Sequence, residues 1–144
     1  MEFFASDITK ILGIKRTTLQ QWMEYGFLGP SVQEAQGSGM RNIYSLGDLF
    51  KIATFNKLLH LGLNREQASL WIRGFDFEEL SEKQAGSLII IGRFAQTHNR
   101  ERFFPLEMYI ENCEEVQLKL GGEADAIIVV NFNKIAKEVN ERIK

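Results

Sequence analysis

Leu12-Gly13-Ile14-Lys15-Arg16-Thr17-Thr18-Leu19-Gln20-Gln21-Trp22-Met23-Glu24-Tyr25-Gly26 is the stretch that decides how this chain folds. Gly13 suits the left-handed position that ends a helix. Beyond it, Leu19, Trp22 and Met23 are spaced to face inward on a helix over Lys15 to Tyr25, which Gly26 terminates. Upstream, Ser6 or Asp7 can cap a short helix through Leu12, with Ile8, Ile11 and Leu12 on one face. Two short helices joined by a tight turn containing glycine are the signature of a helix-turn-helix.

Outward from this motif, Gly29-Pro30 breaks the chain and a polar stretch, Ser31 to Asn42, leads to Ile43-Tyr44. Its Gly37-Ser38-Gly39 predicts the tip of a β-hairpin of the kind called a wing. Ser45-Leu46-Gly47-Asp48 is a capping box, and the helix it opens carries Leu49, Ile52, Ala53, Phe55, Leu58 and Leu59 before stopping at Gly62. Asn64 with Gln67 starts a further short helix through Trp71. Trp22 and Trp71 fall at apolar helical positions and read as core.

The second half changes character after Gly74. A short helix to about Gln84 precedes a strand, Ser87 to Phe94, built on Leu88-Ile89-Ile90-Ile91. Gln96 to Arg102 reads as a loop. Phe104-Pro105 then predicts a helix through about residue 117, with Val116 to Leu120 as an alternating strand in the rival reading. Ala126 to Val130 reads as a strand, followed by a terminal helix capped by Asn131 or Asn133, with Ile135, Val139 and Ile143 at four-residue steps. The expected class is α+β: an all-α winged helix-turn-helix domain over 1–73, then a small α/β accessory domain over 74–144.

Composition narrows the function. Of 144 residues, 44% are hydrophobic and 25% charged, as in an ordinary globular chain. The single cysteine, Cys113, excludes an internal disulfide framework and a thiolate-dominated zinc site. No apolar run approaches the roughly 18 to 20 residues of a membrane-spanning helix. Met1-Glu2-Phe3-Phe4 does not read as a signal peptide, so a cytoplasmic protein is expected. The net charge of −2 hides an asymmetry: residues 1–73 sum to +2 and residues 74–144 to −4. A polyanion-binding surface is therefore expected in the first half.

Residues Ile8 to Ile72 resemble the DNA-binding domain of MerR-type regulators. The resemblance rests on Leu12-Gly13-Ile14, Thr18-Leu19, Tyr25-Gly26-Phe27-Leu28-Gly29-Pro30, Arg41 to Ser45, and Leu61-Gly62-Leu63-Asn64-Arg65-Glu66-Gln67-Ala68. It implies a bacterial transcriptional regulator that lays its second helix in the major groove and its wing on the flanking backbone. Lys15, Arg16, Thr17, Thr18, Gln20 and Gln21 are then the candidate contacts of that helix, with Arg16, Thr17 and Gln21 weighted toward base edges. Arg41 and Tyr44 match family positions that hold the phosphate backbone, and Lys51 is a further candidate phosphate contact. Family members usually carry Arg where this chain has Gln20, and often a basic residue where it has Glu24. Asn42 stands as an inserted residue relative to the family's usual wing spacing.

The long dimer-forming helix of well-known family members has no counterpart in the second half. A homodimer is nonetheless expected, since it would suit a palindromic duplex. His98, Glu107, Glu111 and Asp125 show no metal-binding spacing, Gly121-Gly122 reads as a turn, and no catalytic constellation is visible. The sequence thus predicts no enzyme, cofactor or metal, and gives a small-molecule effector no support. Two rivals stand beside the regulator. The domain also resembles phage DNA-packaging small subunits and excision factors. Alternatively, residues 74–144 are a protein-interaction or ligand-sensing module acting without DNA.

Overall fold

A computed structural model describes residues 1–82, 87–94, 103–109 and 124–144. Its elements are β1 (Glu2–Phe3), α1 (Ala5–Leu12), α2 (Arg16–Glu24), β2 (Tyr44–Ser45), α3 (Leu46–His60), α4 (Arg65–Ile72), α5 (Phe77–Glu82), β3 (Ser87–Phe94), β4 (Phe103–Tyr109), β5 (Ala124–Val130) and α6 (Phe132–Ile143). The chain is α+β, helical in its first half with an antiparallel sheet in its second. No helix among the described residues is long and apolar enough to cross a membrane.

Local capping chemistry sets most helix boundaries. Ser45 Oγ accepts from the Asp48 amide at 3.0 Å while Asp48 accepts from the Ser45 amide at 3.0 Å, the reciprocal bonds of a capping box. Asn64 accepts from the Gln67 amide and Asn131 from the Lys134 amide, opening α4 and α6. Helix α1 begins earlier than expected: Phe4 is its N-cap, and Asp7 acts from the third helical position by accepting from the Phe4 amide at 2.8 Å. Gly13 ends it at φ 67°, a conformation that a residue with Cβ adopts only under strain.

The two halves share one core. Helix α3 lies at its centre, with Leu49, Phe55 and Leu58 fully buried. Trp22 of α2 meets Phe55 edge-on at 4.9 Å. From the far end of the chain, Phe132 packs edge-on against Phe50 at 5.6 Å and Phe77 at 5.9 Å. Ile135 and Val139 of α6 belong to the same cluster. Strand β1 was not anticipated; it pairs with β2, Phe3 opposite Tyr44, and buries Phe3 against the helices.

One prediction is corrected. In place of a helix from Phe104, the chain forms strand β4, antiparallel to β3, with Pro105 opposite Ile91. The sheet order is β4-β3-β5, so β4 lies at an edge, where a residue without an amide proton is tolerated. Of the apolar run, Ile89 to Ile91 are paired on both sides, by β4 and by β5, and Leu88 is paired with β4. That pairing outweighs the helical spacing of Leu106 and Tyr109, because strand formation depends on neighbours more than on local pattern. The rest of the predicted helix, with the Val116 to Leu120 alternative, lies outside the described residues, as do Cys113, His98, Glu111 and Gly121-Gly122 and the side chains of Glu107 and Asp125.

Candidate nucleic-acid interface

Helix α2 is anchored by one face. Leu19 and Trp22 are buried at 2% and 4% exposure, which leaves Lys15, Arg16, Thr17, Gln20, Gln21 and Glu24 exposed on the other side. Thr18 is half-buried between the two faces. Lys15 is the N-cap and makes no side-chain capping bond. The first amides of a helix carry a partial positive charge that favours an anion. Lys15 and Arg16 thus add full charges where the backbone already contributes a fraction of one.

The face is not uniformly positive. Gln20 Nε2 donates to Glu24 Oε1 at 2.8 Å, so the residue standing where the family has Arg is engaged by the residue standing where it often has a cation. The pair contributes a net negative charge, on Glu24, about two turns along α2 from Arg16.

The carboxyl end of α2 is held by α4 through residues that the sequence reading did not single out. Arg73 donates to the Gly26 carbonyl at 3.2 Å, and Ser69 Oγ to the Phe27 carbonyl at 2.9 Å. The Arg65 guanidinium lies 6.0 Å from the Tyr25 ring and 5.7 Å from the Phe27 ring, within cation–π range. Such contacts depend on where two helices cross, which residue spacing alone does not encode.

The loop 31–43 folds back on itself at a single bridge, Gln33 opposite Ile43, with amide-to-carbonyl bonds of 3.1 and 2.8 Å. Gly39 turns its tip at φ 88°. Asn42, the residue read as an insertion, is a strut: its Oδ1 accepts from the Ala35 amide at 2.8 Å, and its Nδ2 donates to Tyr44 Oη at 3.4 Å. Gln33 Nε2 donates to the Arg41 carbonyl at 2.9 Å, fixing the backbone from which the exposed Arg41 side chain projects. The Arg41 guanidinium sits 5.7 Å over the Phe4 ring. Tyr44, by contrast, is only 1% exposed, and burial pushes its hydroxyl above the usual phenol range against the opposing pull of the Asn42 bond.

At the base of this loop, carboxylates occupy the amino end of α3. The buried Asp48 accepts from the Ser31 amide at 2.8 Å and the Ser31 hydroxyl at 2.7 Å. Glu78 of α5 accepts from the Gly47 amide at 3.1 Å and from the Ser45 hydroxyl. Lys51 lines the same cleft as Asp48, Asp76 and Glu78, with its Nζ 6.0 Å from the Phe77 ring. Three carboxylates thus share its cleft, whereas Lys15 and Arg16 face the open side of α2.

The predicted residues accordingly fall into separate settings. Lys15, Arg16, Thr17, Gln20 and Gln21 share one exposed helical face, Arg41 projects from the loop, Lys51 lies among acids, and Tyr44 is internal. Comparison with known families matches residues 5–74 to the MerR HTH family regulatory protein. Comparison with curated proteins finds no match.

Proposed function

From a first half that belongs to the MerR family of helix-turn-helix regulators, we propose that this chain is a sequence-specific, cytoplasmic DNA-binding transcriptional regulator rather than an enzyme. The observation that carries the reading is the division of α2: Leu19 and Trp22 lock one face into the core, and Lys15, Arg16, Thr17 and Gln21 stand together on the other. That face enters the major groove. Arg16 is suited to the two acceptors of guanine and Gln21 to the donor and acceptor of adenine. Thr17 and Thr18 supply shorter contacts, and Gln20 becomes available only when it leaves Glu24.

The loop 31–43 acts as the wing. Arg41 at its surface meets the flanking phosphates, while Tyr44 works from inside by holding Asn42 and hence the loop. Lys51 is the weakest of the candidate phosphate contacts because acids surround it. Phosphate contacts fix register and base contacts choose sequence. A homodimer presents two copies of this modest positive surface to one palindromic site.

Selection of bound duplexes from a random library, followed by titration of the selected sequence across a salt series, tests the reading. A regulator of this kind enriches a sequence, and its affinity falls as salt rises because counterions are released. Absence of any enriched or bound duplex at low salt would overturn it. Ligand or protein capture by the chain with no DNA affinity would instead favour a sensing or interaction role for residues 74–144.

A further inference from the structure

Helix α6 runs from the sheet to the joint of the helix-turn-helix. It follows directly on β5, is capped by Asn131, and buries Phe132, Ile135 and Val139 in the core beside α3. Twelve residues at the α-helical rise carry it about 18 Å. At its far end Arg142 Nη1 donates to the Ile11 carbonyl at 3.3 Å. Ile11 lies in the last turn of α1, where carbonyls have no partner within the helix. A guanidinium there satisfies one of them and complements the negative end of the helix dipole. After Leu12 ends α1, Gly13 at φ 67° and Ile14 are the whole of the turn before Lys15 caps α2.

We propose that Arg142 is a positioning residue of the DNA interface: from a helix rooted in the sheet, it fixes the carboxyl end of α1 and so the angle at which α2 presents Lys15 and Arg16. The proposal rests on the DNA-binding reading above. It makes the second half of the chain a working part of the reader, since the side chain that steadies the joint comes from the last helix of the fold. Arg142 touches no base in this role; it acts through the turn.

Two measurements on the full chain test it. Amide hydrogen exchange at Gly13, whose amide donates to the Thr9 carbonyl at 3.0 Å at the end of α1, is expected to accelerate several-fold in Arg142→Ala, with exchange in the centre of α3 unchanged. Affinity of that variant for the selected duplex is expected to fall about fivefold to tenfold. Its affinity for random duplex and its salt slope should match the parent, and Arg142→Lys should restore the selected affinity. Unchanged exchange at the turn overturns the proposal whatever the DNA result. Unchanged affinity for the selected duplex also overturns it. A salt slope reduced by about one, with equal loss on all duplexes, makes Arg142 a direct phosphate contact instead. A parent chain that selects no duplex defeats the DNA reading itself, and that outcome is seen before any variant is compared.

Discussion

Gln20 donates a 2.8 Å hydrogen bond to Glu24 across one turn of the exposed face of α2. A neutral amide, where the family usually has a cation, thereby engages a carboxylate on the surface expected to meet phosphate. Glu24→Gln is expected to raise affinity for duplex DNA of any sequence. Gln20→Arg should raise it further and steepen the dependence of log affinity on log salt by about 0.9, the release of one counterion. Titrations at several salt concentrations check both. Unchanged affinity in the two variants would place this face away from the nucleic acid.

Arg16 separates base reading from simple attraction. If it reads a guanine, Arg16→Ala costs about 1 to 3 kcal/mol on the selected duplex and relaxes preference at one base pair. Equal weakening on all duplexes would reassign it to phosphate. Repeating the library selection with the variant distinguishes the two outcomes.

Gly47 is constrained by Glu78. A Cβ placed on Gly47 would lie 2.9 Å from Glu78 Cγ and closer still to its carboxylate, which accepts from the Gly47 amide. Gly47→Ala should therefore displace the carboxylate and destabilise the fold by about 1 kcal/mol, against a gain of similar size from better helix propensity. In a Glu78→Ala background only the gain remains. Denaturant unfolding of the four chains should give a coupling of about 0.5 to 2 kcal/mol; additive effects would show that Glu78 does not occupy the end of α3 in solution.

How much of this was legible in the sequence follows from the range of each signal. Gly13, the Ser45–Asp48 box, Asn64 and Asn131 announce helix ends within four residues, and the buried and exposed faces of α2 follow from the spacing of Leu19 and Trp22. Strand β4 was misread because its evidence lies opposite it: Pro105 faces Ile91, and only the pairing of β3 decides the matter. The same holds for the interface. Its exposed residues could be named, but Glu24 engaging Gln20, Arg65 over Tyr25 and Tyr44 turned inward are products of three-dimensional packing. Arg142 reaching Ile11 across 131 positions has no local signature.

Tyr44 gives the fold an alkaline limit. Burial raises its hydroxyl above the ordinary value of 10.0, so the folded chain favours the neutral phenol more than the unfolded chain does. The stabilisation is fully present below the unfolded value and is lost as pH rises from there through the higher folded value. Thermal unfolding should show a decline above about pH 10 that is shallower in Tyr44→Phe. The variant should cost no more than about 1 kcal/mol at neutral pH, since its 3.4 Å bond to Asn42 is long. Equal alkaline declines in the two chains would contradict the assignment.

Phe132, seated edge-on against both Phe50 and Phe77, also fixes an order of events in biosynthesis. The helices of the first half leave the ribosome first, yet their shared core lacks its aromatic wedge until β5 has been made. At about 5 to 20 residues per second the wait lasts seconds, far longer than helix formation or collapse. Over that interval Phe50 and Phe77 lack the ring that both meet edge-on in the finished core. The core is therefore completed late, when α6 docks, and a nascent chain halted before Phe132 has α2 and α3 but not the ring that closes the core around Phe50 and Phe77.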